Sequence, residues 1–125
     1  MFGSLRRIAV CVALSGVAAL GCASLQAAQA YRIGTAALER GDTARAVEEL
    51  ERAARLLPEA SEVHNQLGVA HVNAGELELA LADFQRATAL DCDNVEAAAN
   101  LARARAHATH GLAAGELELS GGDRR

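Results

Sequence analysis

Four histidines, three cysteines and a block of alternating charges are the residues with chemical potential in this 125-residue chain. His64 and His71 stand seven apart and share a helical face, and His107 and His110 stand three apart. Either pair has the spacing to give two ligands to a metal ion. No acidic or thiol side chain stands at ligand spacing with them, so structural roles and no metal are expected. Cys92 occupies the turn-like stretch Leu90-Asp91-Cys92-Asp93-Asn94. An odd cysteine in an oxidising compartment can pair with another chain, but the plainer expectation is a turn residue. Glu48, Glu49 and Glu51, with Arg45, Arg52 and Arg55, have the i,i+3 and i,i+4 spacings of a solvated helix face. No Gly-rich phosphate loop, nucleophile elbow or paired-carboxylate setting occurs. The expectation is a protein that is not an enzyme, with no cofactor and no small-molecule substrate.

The elements that carry these residues follow from composition. The chain has thirty alanines, one proline and 2% aromatic residues, against 51% hydrophobic residues overall. Alanine is the best helix former and a poor filler of space, so the composition favours closely approached helices over a deep core. An all-α fold follows. Every basic residue is arginine, and the net charge is −4. If the residues before Cys22 are removed, ten arginines face sixteen acids and the balance is −6. That argues against nucleic-acid partners, which require a basic footprint, and against electrostatic docking on an anionic lipid surface.

The N-terminus has the layout of an export signal. Met1 to Arg7 carries two arginines and no acid, and Ile8 to Leu20 is an uncharged run. The run closes on Ala18-Ala19-Leu20-Gly21-Cys22, which resembles a bacterial lipobox. That resemblance implies that Cys22 is acylated and becomes the mature N-terminus. Two or more acyl chains would anchor it firmly, where one binds marginally. Ala23 and Ser24, in place of an aspartate, resemble the pattern of sorting to the outer membrane. Two alternatives stay open. Ala28-Gln29-Ala30 is an A-x-A site from which ordinary signal peptidase would release a soluble periplasmic protein beginning at Tyr31. Ile8 to Ala30 is also long enough for an uncleaved spanning helix, though Ser24, Gln26 and Gln29 make its later part polar.

The rest of the chain repeats itself. A shift of thirty-four residues superimposes Gly34 on Gly68, Gly41 on Gly75, Ala46 on Ala80, Leu50 on Phe84 and Ala53 on Ala87. With Leu67-Gly68, Ala80-x-x-x-Phe84 and Pro58, this pattern resembles the tetratricopeptide repeat. The resemblance implies helical hairpins stacked as a short right-handed α-α superhelix. Helices are expected at about 27–40, 43–57, 60–74, 77–90 and 94–110, with a weak one at about 112–119. The domain reading is a signal peptide at 1–21, the acylated cysteine and a short tether at 22–26, and a repeat domain at 27–119. Repeats fall at about 27–60 and 61–94, with a degenerate one at 95–119, and residues 120–125 form a disordered tail. Gly34 and Gly68 let paired helices approach, while Leu50 and Phe84 fill the space between them. Gly41 and Gly75 end helices through left-handed turns, and Asp42 or Thr43 caps the helix that follows. His64 and His71 stand where the family carries packing aromatics.

In that family the first helix of each hairpin lines a concave groove that holds a peptide or helix of a partner protein. Carried onto this chain, the groove residues are Tyr31, Thr35, Asn65, Val69, Val72, Asn73, Asn100 and Arg103. Asn65 and Asn73 would bond an extended backbone, and Val69 and Val72 would supply apolar contact. The members that grip a chaperone's C-terminal carboxylate use groove lysines, and this chain has no lysine. The expected function is a lipid-anchored scaffold on the periplasmic face of the outer membrane, mediating protein–protein interaction. Similar repeat lipoproteins assist assembly of a pilus or tether envelope complexes. The alternative is a soluble periplasmic adaptor or regulatory subunit.

Overall fold

The computed structural model describes residues 3–120, with side chains for 21–110. Five helices follow one another: α1 (Gly3–Glu39), α2 (Thr43–Leu56), α3 (Ser61–Ala74), α4 (Leu77–Leu90) and α5 (Val95–Ser120). No strand occurs among the described residues. Each helix packs on its chain neighbour, and α3 also touches both α1 and α5. The result is two helical hairpins, α1–α2 and α3–α4, stacked in chain order and closed by α5.

Two glycines make the tight corners. Gly41 (φ 75°) and Gly75 (φ 79°) adopt the left-handed region that side chains disfavour. Behind Gly41, the Asp42 amide donates to the Ala37 carbonyl and the Gly41 amide to the Leu38 carbonyl. The same pair of bonds recurs at Gly75, from the Glu76 amide to His71 and from the Gly75 amide to Val72. This double bond pattern satisfies carbonyls that a helix end otherwise leaves bare. Asp42, rather than Thr43, then caps α2, accepting from the Arg45 amide at 3.3 Å. Asn94 caps α5 in the same way, accepting from the Ala97 amide.

The core is thin because its residues are small. Ala46, Leu50 and Ala53 of α2 pack against Ala37 and Ala30 of α1, and Ala80, Phe84 and Ala87 of α4 are likewise buried. A Cβ placed on Gly34 would meet Leu50 Cγ at 2.6 Å, and one on Gly68 would meet Phe84 Cε1 at the same distance. Both glycines are therefore required by close approach.

The helix ends depart from expectation in two places. The first helix does not begin near residue 27: its backbone is continuous from Gly3, so the segment read as an export signal runs into the first repeat without a break. Nor does the chain turn between residues 110 and 112, because α5 runs on to Ser120. Glycine alone costs a helix only about 1 kcal/mol relative to alanine. At Gly41 and Gly75 the turn is secured by a second helix packing back, and among the described residues no such helix follows Gly111. The side chains of Ala18, Ala19 and Leu20, those of the expected helix at 112–119, and residues 121–125 of the tail expected at 120–125 lie outside the described residues, while Ser120 is the last residue of α5. No helix of the described residues is long and apolar enough to cross a membrane.

Candidate functional site

A cavity of about 410 Å³ opens where α3, α4 and α5 meet. Helix α3 contributes Val69 and Val72, α4 contributes Leu77 and Phe84, and α5 contributes Asn100, Arg103, Ala104 and His107. Its floor is apolar: Phe84 and Ala104 belong to one buried cluster, with Val69 and Leu77 packed against it. Its α5 wall carries one amide, one guanidinium and one imidazole, and no acid lines it. Arg103 makes no ion pair within 4.0 Å among the described residues. A site of this composition can take up an apolar side chain and hold a polar or anionic group at its rim. Its lining residues include no nucleophile beside a base.

The structure brings four of the expected groove residues together, namely Val69, Val72, Asn100 and Arg103. The others are placed elsewhere. Asn65 is not a surface amide: it is fully buried, and its Oδ1 accepts from Asn100 Nδ2 at 2.9 Å across the α3–α5 contact. Its own Nδ2 has no hydrogen-bond partner, a cost of roughly 1–3 kcal/mol for a buried donor. Asn73 is exposed and stands outside the cavity wall. Tyr31 lies at the α1–α3 contact, where its hydroxyl donates to Glu62 Oε1 at 3.4 Å. Burial, and then the Glu62 carboxylate, raise the Tyr31 phenol above its ordinary value of 10.0. Tyr31 borders a separate recess with Ala28, Leu57, Glu62 and Val63. The Thr35 hydroxyl is spent on the carbonyls of Tyr31 and Arg32 within its own helix. Leu77, Phe84, Ala104 and His107 were absent from the expected lining. The thirty-four-residue shift sets His107 on Asn73 and Arg103 on Val69, so the α5 wall was open to inference from the repeat.

The histidines of α3 do have an acidic neighbour, contrary to expectation. Asp83 of α4 lies between them, with Oδ2 2.8 Å from His71 Nδ1 and Oδ1 3.5 Å from His64 Nδ1. A second acceptor faces each ring: the Pro58 carbonyl at 3.0 Å from His64 Nε2, and Glu76 Oε2 at 3.8 Å from His71 Nε2. Spacing along the chain concealed this partner because it comes from the neighbouring helix. Asp83 thereby joins α3 to α4 directly beside Phe84. Among the described residues no group of three or more His, Cys, Asp or Glu side chains is arranged to hold a metal ion. Cys92 is an exposed free thiol in the turn between α4 and α5. The pairs Glu49–Arg52 (3.9 Å) and Glu51–Arg55 (3.6 Å) lie along α2, and Arg86 reaches Glu59 at 2.9 Å.

Comparison with known proteins points the same way as the geometry. The tetratricopeptide-repeat family model matches residues 31–95. No curated protein matches the chain in sequence. Among solved structures, the TPR2B domain of yeast Sti1 in its complex with pHsp70 aligns with a TM-score of 0.67 at 21% identity, covering 72% of this chain and 72% of that one. At that identity the likeness is one of fold.

Proposed function

Because the chain belongs to the tetratricopeptide-repeat family, a family of protein-interaction modules that are typically non-catalytic, we propose that it is a bacterial envelope scaffold. It is held at the periplasmic face of the outer membrane by a lipid on Cys22, and it binds a segment of another protein in assembly of a pilus or envelope complex. The observation that carries the binding reading is the cavity between α3, α4 and α5, with an apolar floor and the unpaired Arg103 at its rim. The occupant is a segment presenting one apolar side chain to Val69, Val72 and Phe84. The site catalyses no reaction and takes no cofactor, no metal and no nucleic acid.

Residues 1–21 are the leader in this reading, and 22–26 the tether. What supports attachment at Cys22 over release at Ala30 is the packing of α1. Ala27 and Ala30 are 0% and 1% exposed, and Ala30 sits in a buried cluster with Ala53 and Val63. A protein beginning at Tyr31 would lack both and leave that part of α2 uncovered.

The binding reading is tested with Val72→Glu combined with Arg103→Glu. Both residues are exposed, and surface changes usually alter stability by under about 0.5 kcal/mol. In cells, crosslinked partner recovered with the double variant should fall at least tenfold, equivalent to about 1.4 kcal/mol. Equal recovery at an unchanged melting temperature refutes the cavity as the binding site.

A further inference from the structure

We infer that the outer face of α1 is a membrane contact surface, on which the first helix lies flat against anionic phospholipid headgroups. The inference rests on the proposed lipid at Cys22 and adds an orientation to it. A groove of about 640 Å³ runs along this face, lined by Leu25, Ala28, Gln29, Arg32, Ile33 and Ala36 of α1, by Arg40 in the turn that follows it, and by Arg45 of α2.

Three observations converge on a bilayer as the occupant. The first is charge. Arg32 and Arg40 are exposed and make no ion pair within 4.0 Å among the described residues, in a chain with a net charge of −4. Arg45 also borders Asp42, Glu48 and Glu49, so the free positive charge of the groove is chiefly that of Arg32 and Arg40. Glu39 at the helix end is the only acid in α1. The second is composition. Leu25 is 71% exposed and Ile33 half-buried, with the small residue Ala28 between them and Ala36 about one turn beyond Ile33. Apolar side chains flanked by arginines on one face are what an interfacial helix presents.

The third observation is geometric. At roughly 100° per residue, Leu25 and Arg32 stand about 60–80° from the direction of Cys22 about the α1 axis. Gln29, Ile33 and Ala36 fall within about 40° of that direction. Acyl chains on the exposed Cys22 therefore leave the helix on the side where the groove opens. Tyr31 and Leu38 point about 160–180° away, so a helix lying on the bilayer keeps its face toward the rest of the array free. An acidic partner protein would match the charge but would not account for the shared direction with Cys22.

The test uses the absence of tryptophan from the chain. Ala36→Trp places a probe about 21 Å along the helix from Cys22, out of reach of the bilayer if α1 stands upright. Gln29→Trp, at an exposed position, serves if the first variant melts early. Val72→Trp is the control away from α1. The full-length acylated proteins are reconstituted into phosphatidylethanolamine vesicles with and without phosphatidylglycerol. Brominated lipid should quench the α1 probes in the anionic vesicles and leave Val72→Trp unquenched. Arg32→Gln and Arg40→Gln should each lower the contacting population about fivefold, the equivalent of about 1 kcal/mol per charge. A probe that floats with vesicles yet stays open to aqueous acrylamide overturns the inference while leaving the anchor intact. Shielding by lipid-stripped envelope protein, with none on vesicles, assigns the face to an acidic protein and also overturns it. Protein that fails to float and carries an unacylated N-terminus by mass overturns both the anchor and this orientation.

Discussion

Replacing Gly68 by alanine should destabilise the array in one background and stabilise it in another. A Cβ at residue 68 would stand 2.6 Å from Phe84 Cε1, 2.7 Å from Cδ1 and 2.9 Å from Cζ, and the ring is 2% exposed. Such overpacking costs roughly 1–3 kcal/mol. Against it stands the gain of alanine over glycine in a helix, roughly 0.8–1.0 kcal/mol. The clash involves three ring atoms at once, so the upper part of the range applies and the net loss should be about 1–2 kcal/mol. For a domain near a hundred residues, each kcal/mol lowers the melting temperature by about 4–8 °C. Phe84→Val removes all three clashing atoms. In that background Gly68→Ala meets no ring, and the helix gain remains, so it should raise the melting temperature relative to Phe84→Val alone. The difference between backgrounds is a coupling of about 2 kcal/mol, within the range seen for residues in contact. Thermal melts followed by circular dichroism on the four proteins measure it. Equal effects of Gly68→Ala in both backgrounds would refute the close approach of α3 and α4 at this point.

Cys22→Ser should abolish labelling by radioactive palmitate and leave unprocessed precursor, and label retained in the variant would sink the anchor proposal. Asp83→Ala removes the acceptor that faces His64 and His71, and should cost about 1–3 kcal/mol, read as a lower urea midpoint; an unchanged midpoint would show that the bridge adds nothing. The chain has one tyrosine and no lysine, so alkaline melts of the acylated protein, in which Cys22 is blocked, isolate Tyr31 once Cys92→Ser removes the other exposed thiol. The folded-state value for Tyr31 is raised, so its contribution is full below pH 10 and is lost as pH climbs through the folded value. Tyr31→Phe should flatten that decline, and a decline persisting in the variant assigns it to another group.

The repeat was legible because its glycines and large apolar residues answer steric demands within one hairpin. Gly34 against Leu50 and Gly68 against Phe84 each recur at a fixed spacing, and Gly41 and Gly75 each end a helix. Contacts between hairpins were less legible. Asn65 reads as a surface amide from its spacing with Val69, but α5 arrives over it and brings Asn100 within 2.9 Å. Asp83 has no signature along the chain, since its partners lie twelve and nineteen residues away on another helix. The thirty-four-residue shift sets it on Glu49, where Ala30 and Ala37 replace the two histidines. Without those partners Glu49 Oε2 is buried with no hydrogen bond. The first hairpin thus keeps the acid of the second without the histidines, and Glu49 is left with the 3.9 Å ion pair to Arg52.

Half of the cavity wall belongs to α5, and this bears on how the site is populated. Among the described contacts α5 is held only by α4 and α3, with Ala97, Leu101 and Ala104 as its buried anchors. A helix held by so few buried side chains opens at lower free energy than helices packed on both sides. Each opening removes Asn100, Arg103, Ala104 and His107 from the site in a single event. Observed affinity is therefore the intrinsic affinity scaled by the fraction of time α5 is docked. A ligand that spans α3 and α5 closes that equilibrium, so the amides of α5 should exchange with solvent more slowly in the complex. A substitution such as Leu101→Ala, which touches no ligand, should weaken binding by lowering the docked fraction.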